Sequence, residues 1–413
     1  MISAATGRHR VLLGGPHRQF CGANFGLSVN IPRSLSGARS DGSRASEGRW
    51  RGCLVPGQLA GLDRVPGLFD PCRGHTSRRV AGRRHPRPAR PNVAGPGYCP
   101  EMSFTSALDD RGSLVSKFMA AELPGLKELQ AAYCAERPTG ASALRPEPPE
   151  GIRLTWGTLG QAIDHRPRYA FADQDEPSPA VRAGMVLAAG GPNRTVTSAI
   201  GLAAGGLRAA LADLISQERP SDRARAIPLA ARAEDRLLRI CYAMAWFEEV
   251  YRTGRLWPGT PLGDADRSLT TSQLLAAVPA YAVADLQAQV HLAADPLAGL
   301  RAACQPAQVR PGPVFAGSRD VGGADADMII GDLLLEVNAS ANATIKREDF
   351  YQVIGYVLLD YHDAYQIGRV GLYLARFGHL ATWTMPECLA LLGARRDLAE
   401  LRKMFADTVA PVG

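Results

Sequence analysis

The chain has 413 residues, a formal net charge of +7 and a hydrophobic share of 46%. It is long enough for two or three domains, and its apolar share is that of a globular protein with a sizeable core rather than that of a disordered chain. Because no run of about 18 apolar residues occurs, the sequence argues against a membrane-spanning segment.

The basic charge is concentrated in the first quarter of the chain. Residues 1 to 101 contain 16 Arg, no Lys and 5 Asp or Glu, a balance of +11, which leaves −4 for residues 102 to 413. The segment is also rich in Gly and Pro and has no helical or strand periodicity, so we expect it to be disordered. Two interpretations stay open: an Arg-rich arm that binds nucleic acid by charge, or an upstream extension with Met102 as the true start of the protein.

The eight cysteines lie four on each side of Met102, and no CxxC pair occurs. This spacing argues against a structural zinc site and favours free thiols. Free thiols are typical of the reducing cytoplasm, which we therefore expect to be the compartment of the protein.

Residues 102 to 270 are expected to form a mainly helical region. Apolar residues recur at helical spacing in the segments 103–136, 156–171, 199–216 and 229–252, and the Pro-rich segment 137–151 predicts a loop. The carboxylates of the last helix predict a solvated face, although a pair of them could also hold a metal: Glu234, Asp235, Glu248 and Glu249. Six arginines are candidates for a basic surface stripe: Arg145, Arg153, Arg166, Arg168, Arg194 and Arg208.

After a further predicted helix at 271–294, the periodicity changes from helix to strand. The apolar runs 313–318, 326–331 and 333–339 have strand length, and Gly331-Asp332 is a hairpin signal between the second and the third. Side chains alternate between the two faces of a strand. With a turn at this pair, Asp327 and Glu336 lie nearly opposite each other in antiparallel strands.

Two carboxylates in this arrangement repel each other unless a cation lies between them. A hard divalent ion, Mg²⁺ or Mn²⁺, would satisfy both, with the backbone carbonyl of Val337 as a third ligand and water completing the octahedron. Such a centre supports metal-assisted hydrolysis of phosphodiester bonds. The alternative is that Asp325 and Asp327 only cap turns and that Glu336 is exposed.

A helix predicted after these strands carries Gln352 and Tyr356 on one face, and residues 368–383 predict two more strands. Together with Asp327 and Glu336, this order resembles the PD-(D/E)XK nuclease superfamily, most closely its RecB-like branch, over about residues 311 to 385. The resemblance implies a restriction-endonuclease-like core, a mixed sheet flanked by helices, within residues 271 to 413. It also implies that Gln352 faces the nucleic acid, with DNA as the expected substrate.

Asn338 departs from the family pattern, which has lysine at this position. A lysine there orients the attacking water and stabilises negative charge, whereas asparagine supplies no cation. Lys346 or Arg347, at the start of the next helix, would supply the missing charge from another backbone position. Alternatively the metal ion acts alone, or the site is inactive.

The sequence thus predicts an α/β protein with a helical N-terminal part and a nuclease-like core. The leading hypothesis is a Mg²⁺- or Mn²⁺-dependent deoxyribonuclease, with these residues in the active site: Asp327, Glu336, Asn338, Lys346 and Gln352. The alternative is a catalytically inactive nuclease-fold protein that binds nucleic acid or protein. Asn338 and the net charge of −4 over residues 102 to 413 favour this alternative.

Overall fold

The structure, a computed structural model, describes residues 103–136, 142–172, 174–218 and 227–410. The predicted disordered segment 1–101 and the proposed start at Met102 lie outside these residues. Within the described ranges, thirteen α-helices and one five-stranded sheet form the fold.

Three short helices open the described chain: α1 (Phe104–Asp109), α2 (Leu114–Glu122) and α3 (Leu126–Glu136). The prediction that residues 103–136 are helical is confirmed, and the structure divides the segment into three helices. Ser103 and Ser113 each accept a hydrogen bond from a backbone N–H three residues further on, so each caps a new helix. Pro124 and Gly125 then separate α2 from α3.

A layer of seven helices follows. Helix α4 spans Trp156–Phe171, as predicted. The other bounds are Pro179–Ala188 (α5), Arg194–Glu218 (α6), Ala231–Thr253 (α7), Thr271–Ala276 (α8), Ala280–Ala293 (α9) and Ala298–Ala303 (α10). The single helix predicted over 271–294 is divided at Pro279, which has no N–H to continue a helix and stands instead as the N-cap of α9. Helix α5 was not predicted.

Helix α6 is the one described helix whose length and composition would allow it to cross a membrane. Of its most apolar stretch, 44% is buried inside the protein, where α6 packs against α5, α7 and α8. A core helix of a globular protein needs an apolar face of this kind. Helix α6 therefore gives only weak support for a membrane span.

The sheet has the order β1-β2-β3-β4-β5. Its strands are Val309–Pro311 (β1), Met328–Ile330 (β2), Leu333–Asn338 (β3), Arg369–Leu374 (β4) and His379–Thr384 (β5). The pairing of β3 with β4 is parallel, with α11 (Arg347–Leu359) as the crossover, and the other three pairings are antiparallel. The predicted hairpin joins β2 to β3, and its Gly331 has the left-handed φ of 62°. Helices α12 (Met385–Leu391) and α13 (Leu398–Val409) follow the sheet.

The prediction of a strand at 313–318 is wrong. The residues Ala316–Arg319 form a 3₁₀ helix, and Val314 makes only an isolated antiparallel bridge with Asp325. The hydroxyl of Ser318 accepts a hydrogen bond from the N–H of Phe315 at 2.9 Å and donates to the carbonyl of Ala324 at 2.6 Å. These side-chain bonds to the backbone close the chain into a turn and replace a strand ladder.

Both faces of the sheet are covered by helices. On one face, Leu335 and Val337 pack in a core built mainly from α4 to α9. On the other face, Leu334 and Leu372 pack with α1, α2, α11 and α13. This arrangement explains why the β3 sequence is apolar on both sides apart from its end. The structure confirms a mixed α/β fold whose mixed five-stranded sheet is flanked by helices.

Candidate active site

The β2–β3 hairpin brings two of the predicted site residues into contact. The register that pairs Met328 with Leu335 places Asp327 opposite Glu336. The backbone N–H of Asp327 donates to Glu336 Oε1 at 2.9 Å, and the N–H of Val337 donates to Asp327 Oδ2 at 2.8 Å. Glu336 is only 9% exposed, which contradicts the alternative in which this side chain lies at the surface.

Helix α11 supplies the next predicted residue. Gln352 Nε2 donates to the hydroxyl of Tyr356 at 2.8 Å and lies 3.5 Å from Glu336 Oε2. Tyr356 is buried against the rings of Phe104 and Phe315, which fixes its hydroxyl and through it the amide of Gln352. The face of α11 that carries Gln352 and Tyr356 therefore points towards Glu336.

Asn338 and Lys346 take part in local hydrogen bonds. Asn338 Oδ1 accepts from the N–H of Ser340 at 2.8 Å, and its Nδ2 donates to Asp349 Oδ1 at 3.3 Å. The N–H of Lys346 donates to Asp349 Oδ2 at 2.7 Å at the start of α11, and the Lys346 residue is exposed. Neither Lys346 nor Arg347 is among the described residues that line the cavity of the site. The structure thus does not bring the two proposed substitutes for the family lysine to the carboxylates.

A row of residues on α4 crosses the site instead. Trp156, Gly160, Asp164 and Arg168 follow each other at four-residue intervals and share one face of the helix, which we call the α4 row. Arg168 Nη2 donates to Asp327 Oδ1 at 2.9 Å, and both side chains are largely buried. The positive charge beside Asp327 therefore comes from a residue 159 positions earlier in the chain.

Three carboxyl groups of the site bind protons more tightly than usual. Burial, and after it the charge of Asp327, raises the pKa of Asp164 and the pKa of Glu336 well above their ordinary values. Burial also raises the pKa of Asp327 and outweighs the opposing charge of Arg168. Among the described residues, no hydrogen-bond partner reaches Asp164 Oδ1, although the atom is buried. These carboxyl groups are therefore crowded and desolvated, and an added cation would favour their charged forms.

A second ion-pair network joins α4 to α7 beside the α4 row. His165 Nε2 lies 3.1 Å from Glu248 Oε2, and Arg252 Nε donates to Glu248 Oε1 at 2.8 Å. Arg252 also approaches Asp325 Oδ2 at 3.5 Å. Burial alone would raise the pKa of Glu248, but His165 and Arg252 lower this pKa below its ordinary value. The prediction that Glu248 belongs to a solvated face is wrong.

The prediction of a solvated face is also wrong for Glu234. It is buried and accepts two hydrogen bonds from Arg166, at 2.6 and 2.7 Å. The predicted basic surface stripe is also wrong at Arg166 and Arg168, because both arginines lie in buried ion pairs. Helical periodicity predicted that these charges face solvent. It could not reveal the ion pair, because Arg166 and Glu234 lie 68 positions apart in the chain.

The carboxylates open onto a cavity of about 730 Å³. Its walls come mainly from residues 156–164 of α4, the end of β3 with the loop after it, residues 349–356 of α11, and Arg252 of α7. Asp325, Asp327 and Glu336 line this cavity together with Trp156 and Gln352. A volume of this size is typical of a site for a small organic ligand, and it would accommodate a nucleotide.

The donor atoms fit a hard divalent ion that keeps most of its water. Among the described residues, no group of three or more His, Cys, Asp or Glu side chains is arranged to hold a metal. Mg²⁺, however, is usually bound through one or two carboxylates with several waters retained. Asp327 and Glu336 provide two carboxylates. The carbonyl of Val337 faces the same strand edge as its N–H, which is bonded to Asp327.

Sequence reasoning missed the α4 part of the site. Asp164, Gln161 and Trp156 line the cavity with the predicted residues, and none of the three was selected from the sequence. A signal was present in the four-residue spacing of Trp156, Gly160, Asp164 and Arg168 along one helix. The spacing shows that these residues share a face, but it does not show which strand this face meets.

Comparison of the chain with protein-family models, with curated proteins and with solved structures found no match in any of the three searches. Membership of the PD-(D/E)XK superfamily therefore stays a prediction that depends on the motif residues.

Proposed function

We propose that the protein is a metal-dependent nuclease that hydrolyses phosphodiester bonds of DNA. The observation that supports this most is the convergence of Asp164, Asp327 and Glu336 at an open cavity, where no partner among the described residues reaches Asp164 Oδ1. Of these, Asp327 and Glu336 are two desolvated carboxylates that a hydrated divalent cation would stabilise, and a bound cation in turn attracts a phosphate.

Asp327, Glu336 and the carbonyl of Val337 would hold the Mg²⁺ or Mn²⁺ ion. When bound, such an ion activates water and neutralises charge on the phosphate. Gln352 and Tyr356 position Glu336 through their hydrogen bonds. Asp164 lines the same cavity, where burial raises the pKa of its carboxyl group, so it can exchange a proton with a bound ligand as a general acid or base.

Arg168 would take the electrostatic role that the family pattern assigns to a lysine at position 338. Its guanidinium is always protonated and already contacts Asp327. The guanidinium therefore supplies to the site the positive charge that Asn338 lacks. Asn338 itself connects the end of β3 to Asp349 in the first turn of α11.

A cleavage assay with the full chain tests this function. DNA is offered in single-stranded and in double-stranded form; cleavage of at least one form should occur when Mg²⁺ or Mn²⁺ is present and should stop in a chelator. The variant Glu336→Gln should lose the metal-dependent cleavage because it removes one charged ligand. The matched control is Glu128→Gln, which changes an exposed carboxylate of α3 and should cut at the parental rate.

A second candidate function is a nucleic-acid-binding module without catalysis. The ion pair between Arg168 and Asp327 favours it, because the guanidinium already neutralises a carboxylate that the metal would need. Asn338 favours it as well. DNA binding without cleavage under any divalent ion would support this candidate and would contradict the nuclease proposal.

Mn²⁺ should raise the melting temperature of the protein by several degrees. The ion would bind the folded state only, and at a concentration about 100 times its Kd this contributes about 2.7 kcal/mol to the free energy of unfolding. Differential scanning fluorimetry with and without Mn²⁺ measures the shift. The shift should disappear in Glu336→Gln and persist in Glu128→Gln. An equal shift in Glu336→Gln would place the ion elsewhere in the protein.

A further inference from the structure

Trp156 is an exposed aromatic residue in the wall of the cavity. It is 43% exposed, although most large apolar side chains of the described chain are buried. One face of its ring lies over the guanidinium of Arg376, with the Arg376 Cζ 5.1 Å from the ring centroid. Arg376 is fully buried and donates two hydrogen bonds to Asp285, at 2.7 and 2.9 Å. The indole therefore rests on a buried, hydrogen-bonded support, and its exposed part is available to a ligand in the cavity.

Between Trp156 and the carboxylates, two glycines of α4 leave space in the cavity wall. A Cβ added at Gly157 would have nothing within 4 Å, and one added at Gly160 would meet only Ala339 Cβ at 3.9 Å. Neighbouring atoms thus leave room for a larger side chain at both positions. A glycine at such a position lowers helix stability relative to alanine. At a rise of about 1.5 Å per residue, Trp156 and Asp164 are about 12 Å apart along the helix axis. A short stretch of an extended single strand spans a distance of this order.

We propose that Trp156 is a stacking platform for an unpaired base of the nucleic acid whose backbone passes Gly160 to the carboxylates. This inference rests on the proposed function and specifies its substrate as a single strand or an unpaired strand end. An aromatic ring stacks on any base, because each base has a π face. A duplex keeps its bases paired and stacked on each other, so an intact duplex does not present a face to Trp156.

Binding of a fluorescein-labelled oligothymidylate to the full chain tests the proposal, with Ca²⁺ replacing Mg²⁺ and fluorescence anisotropy as the readout. Trp156→Ala should weaken binding about tenfold or more, in line with the contribution of one stacked base, and Trp156→Phe should recover part of the affinity. The matched control is Trp257→Ala. Trp257 is 40% exposed and lies beside Arg255, but it is not among the described residues that line the cavity.

Intrinsic fluorescence provides a readout that a purely structural role of Trp156 would not change. Oligothymidylate should quench the tryptophan emission of the parent and of Trp257→Ala, and it should cause little quenching in Trp156→Ala. A second variant, Gly160→Leu, should fill the space beside Ala339 and weaken binding while the melting temperature stays the same or rises. A corresponding duplex should bind the parent and Trp156→Ala equally.

The outcomes separate this inference from the proposed function. Metal-dependent cleavage with equal oligothymidylate affinities for the parent and Trp156→Ala would overturn the stacking role and leave the nuclease proposal in place. Binding that depends on Trp156 without cleavage would uphold the stacking role and contradict hydrolysis. No binding of single-stranded DNA by the parent would overturn the stacking role as well.

Discussion

Replacing Asp285 by alanine should lower the free energy of unfolding by about 3–5 kcal/mol, which is the usual cost of removing one partner of a buried ion pair. Arg376 is completely buried and donates to both Asp285 oxygens. Arg376 also donates to the carbonyl of Ala339 at 2.7 Å and to that of Leu144 at 3.1 Å. Without Asp285, a guanidinium would remain in the core with its charge uncompensated. Urea unfolding followed by circular dichroism measures the difference.

The control for this prediction is Glu176→Ala, which removes the partner of Arg208 in a pair whose side chains are 41% and 47% exposed. An exposed ion pair of this kind contributes about 0–1 kcal/mol. A similar small loss in Asp285→Ala would show that water or a rearranged side chain satisfies Arg376. Because Arg376 supports Trp156, Asp285→Ala should also weaken oligothymidylate binding at temperatures where the variant is still folded.

The second large effect is expected at Arg168. If the protein cleaves DNA, Arg168→Ala should reduce the rate about 10²-fold, as the loss of one electrostatic stabiliser usually does. Arg168→Lys should retain part of the rate because the charge remains, although the planar fork that contacts Asp327 is lost. Single-turnover cleavage with saturating Mn²⁺ measures the chemical step, and the Mn²⁺-induced melting shift shows whether the ion still binds.

Lys346→Ala is the comparison for Arg168. Lys346 is exposed and its backbone N–H bonds to Asp349, whereas Arg168 contacts Asp327 directly, so the loss of Lys346 should leave the rate nearly unchanged. A large loss in Lys346→Ala with full activity in Arg168→Ala would reverse the assignment. A faster rate in Arg168→Ala would mean that the guanidinium competes with the metal for Asp327, and this would contradict the supporting role as well.

The sequence predicted those parts of the site that are close together in the chain. Gly331 and Asp332 fixed the β2–β3 register, and this register placed Asp327 opposite Glu336. The four-residue spacing of Gln352 and Tyr356 placed both on one helix face, and they are hydrogen-bonded to each other. In both cases a local rule of chain geometry is sufficient, because no distant part of the protein decides the result.

The sequence did not predict contacts between distant segments. Arg168 and Asp327 are 159 positions apart, and Arg376 and Asp285 are 91 positions apart. A charge on an amphipathic helix is usually exposed. This general tendency was misleading for Glu248 and Arg166, because each lies in a buried ion pair with a residue of another helix. At 313–318 the side-chain bonds of Ser318 determined a turn, whereas the apolar composition had predicted a strand.

The sheet face that carries Leu335 and Val337 shares its core with α4 and α7, and this has a consequence for synthesis on the ribosome. Helix α7 ends at residue 253, whereas β3 ends at residue 338, 85 residues later. Because synthesis proceeds at about 5–20 residues per second, on the order of ten seconds pass between the completion of these helices and the completion of the strands that cover them. During this time their apolar faces are exposed in the nascent chain. A chaperone that binds apolar helices should therefore associate with the growing chain in this interval and leave when β3 is complete.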